Sequence, residues 1–117
     1  MERFVEQSLL YDFYGELLTP HQKEIYEEAF FDDMSLGEIA EEQGISRQGV
    51  HDLLKRCNKI LEGYESKLHL MERFLQMKQK AEEIARMAEQ AQTDSSEKLD
   101  EALHTIRRLS TEILEEL

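Results

Sequence analysis

The chain has one cysteine, one proline and no tryptophan in 117 residues. Cys57 stands alone, so no intrachain disulfide can form, and a reducing, cytoplasmic setting is the simplest reading. Pro20 is the only proline and glycines number five, so long helices run unobstructed. β-branched residues are few, while Glu, Leu, Lys, Gln and Ala abound, which favours an all-α chain. No apolar run approaches the ~20 residues that a membrane-spanning helix needs. The opening MERFVEQSLL carries acids and no cleavage-site pattern, so a secretory signal is not expected. Catalytic patterns are also missing. The segment GEIAEEQG has no lysine followed by serine or threonine to cradle a phosphate. His21, His51, His69 and His104 are isolated, with no two-histidine metal pair. Cys57 falls on an apolar helix face and reads as a packed thiol. Neither an enzyme nor a bound cofactor is expected.

Acid is in excess, for a net charge of −12, which argues against a protein that simply coats nucleic acid. The distribution is uneven. Residues 1–34 sum to −7, 35–60 to zero, 61–92 to −1 and 93–117 to −4. Between Ser46 and Ile60, Arg47, Lys55, Arg56 and Lys59 face only one acid, Asp52.

That neutral island coincides with the segment SLGEIAEEQGISRQGVHDLLKRCNKIL, residues 35–61. Ser35 and Glu38 make a capping box. Ile39 and Ala40 face inward, and Ala40 is small enough for two helices to cross closely. Gly44 stands where the helix must stop, because glycine enters the left-handed conformation without penalty. Ile45 is expected to plug the corner. Ser46 caps a second helix whose Val50, Leu53, Leu54, Cys57 and Leu61 recur on one face. A short helix, a glycine turn and a second helix form the helix-turn-helix layout, in which the second helix enters the DNA major groove. Its opposite face carries Gln48, His51, Asp52, Lys55 and Lys59, flanked by Arg47 and Arg56. Gln48 suits adenine, and Arg47 suits guanine or phosphate. Lys55, Arg56 and Lys59 suit phosphates. The candidate DNA-binding set is therefore Ser46, Arg47, Gln48, His51, Lys55, Arg56 and Lys59. Asp52 is awkward on such a face. Gly49 costs roughly 1 kcal/mol against alanine in a helix and is expected to admit a neighbouring backbone.

Around this core the chain reads as further helices. Residues 3–18 form a helix with Phe4, Val5, Leu9, Tyr11, Phe13, Tyr14, Leu17 and Leu18 over much of its surface. Thr19, Pro20 and Gln22 open the next, with Ile25, Tyr26, Ala29 and Phe30 inward, an exposed His21, and Asp32-Asp33 as a solvated turn. A seven-residue seam runs Val50, Leu54, Cys57, Leu61, Tyr64, Leu68, Met71, Leu75, and a second runs Leu70, Phe74, Met77, Ala81, Ile84, Ala88, Ala91. Gly63 is the expected bend or break. Residues 92–96 interrupt the pattern. Asp94 or Ser95 then caps a last helix with Leu99, Ala102, Leu103, Ile106, Leu109, Ile113, Leu114 and Leu117 on one side. This helix either folds back on residues 70–91 or pairs with another subunit.

The stretch LTPHQKEIYEEAFFDDMSLGEIAEEQGISRQGVHDLLKRCNKILEGYESKL resembles the promoter-reading helix-turn-helix at the C-terminal end of bacterial sigma factors. The opening, MERFVEQSLLYDFYGELLTPHQKEIYEEAFFDDMSLGEIAEEQGISRQGVHD, resembles the YlxM family of small bacterial proteins. That resemblance implies DNA binding, and a tie to the signal recognition particle pathway through gene neighbourhood. The expected architecture is all-α: a wingless, sigma-like helix-turn-helix in residues 1–68 and a helical extension in 69–117 for dimerisation or packing. The expected function is a DNA-binding regulatory protein. The competing expectation is an accessory factor that binds a ribonucleoprotein or protein partner, a signal recognition particle component among them, through its helices. A homodimer would cover the many apolar faces and present two reading helices.

Overall fold

The computed structural model describes residues 2–91 and 96–116. Every regular element among them is helical: α1 (Arg3–Tyr14), a 3-10 turn (Gly15–Leu17), α2 (Pro20–Phe30), α3 (Leu36–Gln43), α4 (Arg47–Leu68), α5 (Leu70–Ala91) and α6 (Ser96–Glu116). The chain divides into two compact units at residues 71 and 72.

The first unit is built around α4. Val50, Cys57 and Leu61 on its inner face are fully buried. Val50 joins Ile25, Ile39 and Ala40 in one cluster; Cys57 and Leu61 join Leu10, Tyr14, Leu18 and Tyr26 in another; and half-buried Leu53 and Leu54 touch both. Each buried aliphatic of this kind contributes about 1.5–3 kcal/mol. The starts of the helices follow from side chains within three residues. Thr19 Oγ1 accepts from Gln22 N–H at 3.2 Å while Gln22 Oε1 accepts from Thr19 N–H at 2.9 Å. Ser35 and Glu38 repeat the box. Ser46 Oγ accepts from Gly49 N–H at 2.9 Å.

The first helix is shorter than expected. α1 ends at Tyr14, and Leu18 is extended before Thr19-Pro20, where the proline ring disfavours helix in the residue ahead of it. Its buried face is Leu10 and Tyr14; Phe4, Val5 and Leu17 are exposed. Gly15 makes room for an aromatic ring: a Cβ there would lie 2.8 Å from Tyr11 Cδ2 and Cε2. The Tyr11 ring stacks on Tyr26, centroids 5.1 Å apart and 7° from parallel, and its hydroxyl donates to Glu27.

The continuous seam from Val50 to Leu75 does not occur. The break is at His69, with φ +56°, and not at Gly63, which lies within α4. The reason is local capping from a distance. Tyr14 Oη accepts from Leu70 N–H at 3.1 Å and donates to Glu65 Oε1 at 2.5 Å, and the same Glu65 oxygen accepts from Met71 N–H at 2.9 Å. A tyrosine of α1 and a glutamate of α4 thus satisfy the first free amides of α5.

The second unit holds the rest of α5 with α6. Lys80 Nζ lies 3.5 Å from Glu112 Oε2, and Met87 and Gln90 line a cleft with Lys98, Ala102 and Thr105. Later residues of α5 meet earlier residues of α6, so the two run antiparallel, the fold-back alternative. Ala102 and Leu109 are buried on α6, whereas Leu103 and Leu114 are exposed. The expected caps Asp94 and Ser95, and Leu117, lie outside the described residues.

Candidate nucleic-acid interface

The turn that sets α4 against α3 is made by one residue's backbone. Gly44 has φ +68° and ψ +31°, and both its N–H and that of Ile45 point at Ala40 O, the latter at 3.1 Å. These bonds satisfy the orphan carbonyl of α3 and reverse the chain. Ile45 does not plug the corner; it is 37% exposed, because the space between α3 and α4 is already filled by Ile39, Ala40 and Val50.

With its inner face held by the core, α4 turns the opposite face outward. Gln48, Asp52, Lys55 and Lys59 follow one another at intervals of four, three and four, a strip about 16 Å long. His51 lies on one flank and Arg56 on the other, and all six are exposed. Asp52, Lys55, Arg56 and Lys59 line a shallow depression. Among the described residues no acid pairs with Arg47, Lys55, Arg56 or Lys59. Four cations are therefore free to meet phosphate oxygens. Cys57, directly behind this face, is fully buried, and burial pushes its thiol up, with Arg56 pulling the other way. It is a packing residue.

Two site residues, Ser46 and Arg47, and the neighbouring Gly49 behave differently from the rest. Ser46 is the helix cap, its oxygen engaged by Gly49 N–H. Gly49 serves that cap: a Cβ there would lie 3.2 Å from Ser46 Oγ, so the room it leaves is for its own helix start rather than for a neighbouring backbone. Arg47 leaves the strip and lies across α3, where a Cβ on Gly37 would come within 2.9 Å of its Nη2. Gly37 escaped the sequence reading. Its only signal was a glycine two residues past a cap, where a better helix former would fit as well.

Asp52 is not an isolated acid. Gln48 Nε2 donates to its Oδ1 at 2.9 Å, and His51 Nδ1 approaches the same oxygen at 3.5 Å. Nor does the body of the first unit lack acid: Glu28 is buried between α2 and α3, receiving Gln43 Nε2 at 3.2 Å on one oxygen, with none on the other.

Comparison with known proteins places these features in a family. Residues 1–102 match UPF0122, described as "Putative helix-turn-helix protein, YlxM / p13 like". A UPF0122 protein of Caldanaerobacter subterraneus is 53% identical over 81 residues, 69% of each chain. One from a Thermoanaerobacter species is 44% identical over 112 residues, covering 96% of this chain and 94% of the relative. One from Bacillus pumilus is 40% identical over 107 residues, covering 91% and 97%.

Proposed function

We propose that this chain, which belongs to the UPF0122 family of YlxM/p13-like helix-turn-helix proteins, binds duplex DNA with the outer face of α4 and acts as a regulatory protein. The observation that carries this reading is the set of unpaired cations on the exposed side of a helix whose other side is locked in the core. Lys55, Arg56 and Lys59 meet phosphates, Gln48 reads a base edge, and Arg47 meets the flanking backbone from its seat on Gly37. Ser46 and His51 border that contact. In this reading residues 1–68 are the DNA-binding module, and residues 69–117 are the extension through which two copies associate. The protein works in the bacterial cytoplasm, where the YlxM resemblance ties it to the signal recognition particle pathway. No catalytic role is assigned, and no helix among the described residues is long and apolar enough to cross a membrane.

A second reading draws on exposed Leu103 and Leu114 on α6 and the acidic bulk of the chain. Here the helices bind a ribonucleoprotein or protein partner, and α4 is an ordinary solvated face. Fluorescence anisotropy against random duplex DNA and signal recognition particle RNA, across salt, separates the two. Four phosphate contacts give a slope of log K on log salt of about −3 to −4 per protomer, and Lys55→Glu removes about one unit of it while weakening all duplexes alike. Tight RNA binding with no duplex binding would favour the second reading. Light scattering reports association directly, a dimer appearing at twice 13.8 kDa.

A further inference from the structure

We propose that Gln48 and Asp52 act as one reading unit, selecting duplexes that place adenine beneath Gln48 and a base with an exposed amino group, cytosine or adenine, at the neighbouring step. The inference rests on the DNA-binding reading of α4 and names what that face selects.

The geometry is a hydrogen bond of 2.9 Å between Gln48 Nε2 and Asp52 Oδ1, one helical turn apart on the exposed strip. A carboxylate only accepts, so the side-chain amide must turn its nitrogen toward Asp52 and its oxygen away. One amide hydrogen is then committed. The second hydrogen and Oε1 remain, a donor beside an acceptor. In the major groove adenine presents an N7 acceptor beside an N6 donor, the complement of that pair. Guanine presents two acceptors and meets Oε1 with O6. Asp52 therefore removes the amide's freedom to flip, and with it the freedom to accept the wrong base.

Asp52 keeps a second oxygen. Oδ1 is shared by Gln48 and His51, and no described residue donates to Oδ2. A lone carboxylate in the groove accepts from cytosine N4 or adenine N6 and opposes guanine O6 and thymine O4. It also opposes phosphate, so it lowers affinity for every duplex. On a face with four unpaired cations that loss is tolerable, and discrimination is what is gained. The acid that looks misplaced on a DNA-reading helix is a selector in this light.

The test is enrichment of random duplexes by the full-length protein, followed by anisotropy on the enriched duplex and its single-base variants. Wild type, Asp52→Asn, Asp52→Ala and Gln48→Ala are compared. All changes are at exposed positions, and equal circular-dichroism melts confirm intact folds. The expected result is that both Asp52 variants bind all duplexes several-fold more tightly while losing preference at two adjacent base pairs. A bidentate contact is worth roughly 5- to 150-fold in base discrimination, so a drop of about tenfold or more at the adenine step is expected. Gln48→Ala should lose the adenine preference and keep the amino-base preference at the next step. Tighter binding by the Asp52 variants with base preferences unchanged would overturn the proposal and leave DNA binding by α4 standing. A wild-type protein that binds duplexes in anisotropy but enriches no sequence would likewise overturn the proposal alone, and one that binds no duplex would overturn both.

Discussion

Gly44→Ala and Gly63→Ala are the same chemical change, and the structure gives them opposite signs. At both positions an added methyl meets nothing within 4 Å, so packing drops out and only backbone conformation remains. Gly63 lies within α4. Alanine there stabilises by roughly 0.5–1 kcal/mol, because it restricts the unfolded chain and suits the helix. Gly44 sits at φ +68°, where an L-residue loses about 1–2 kcal/mol. The reduced freedom of the unfolded chain returns about 0.4–1 kcal/mol. The net loss is then about 1 kcal/mol. Asparagine, which visits the left-handed region, should fall between glycine and alanine, and valine should be worst. Urea unfolding followed by helical circular dichroism reads these differences, and 1 kcal/mol moves the melting temperature by about 4–8 °C in a domain of this size. Gly63 is about 24 Å along α4 from the helix start, so the two effects should add and the double variant should return close to wild type. A Gly44→Ala protein as stable as wild type would refute the left-handed turn. A destabilised Gly63→Ala protein would move the helix break back from His69.

Three further outcomes follow from other contacts. Ala40→Leu overfills the cluster of Ile25, Ile39 and Val50 and should cost about 1–3 kcal/mol by calorimetry; an unchanged melt would mean the α3–α4 crossing is loose. Tyr14→Phe deletes the hydroxyl between Glu65 and Leu70 N–H, which should cost about 1–2 kcal/mol and speed hydrogen exchange at Leu70, whereas unchanged exchange would show that this cap is dispensable. Burial, then Glu42, and to a lesser degree Glu24 and Asp32 push the Glu28 carboxyl up, against the pull of the Gln43 amide. The folded chain thus holds that proton more tightly than the unfolded chain, so the contribution of Glu28 to stability is fully present below the ordinary carboxylate range and is lost as pH rises through the raised value. Glu28→Gln should therefore be more stable than wild type at neutral pH and lose its advantage near pH 4, the ordinary range of a glutamate; a constant difference across that range would contradict the sign.

What was legible in the sequence was what is decided locally. The Thr19, Ser35 and Ser46 caps and the Gly44 stop each depend on residues within about one turn, and the inward stripes of α2 to α4 follow helical spacing. What was not legible depends on partners far away in the chain. The break at His69 is fixed by Tyr14, more than fifty residues earlier, and no heptad count contains that information. Gly15 and Gly37 look interchangeable with other residues until the Tyr11 ring and the Arg47 guanidinium are laid over them. Ile45 suits the corner by its apolar character alone, but Ile39, Ala40 and Val50 fill that space. The outer face of α4 was readable as a list of residues, but the Gln48–Asp52 bond, at an interval that favours such pairs, changes what the list means.

The double duty of α4 has a calorimetric consequence. The helix that offers Gln48, Lys55 and Lys59 to solvent is the same one that buries Val50, Cys57 and Leu61. A ligand docking on that face meets backbone already ordered by the core, and only a handful of side chains remain to be immobilised, at about 0.5–1.5 kcal/mol each. Association at this surface should therefore have a small heat-capacity change, unlike the large negative value of a segment that folds as it binds.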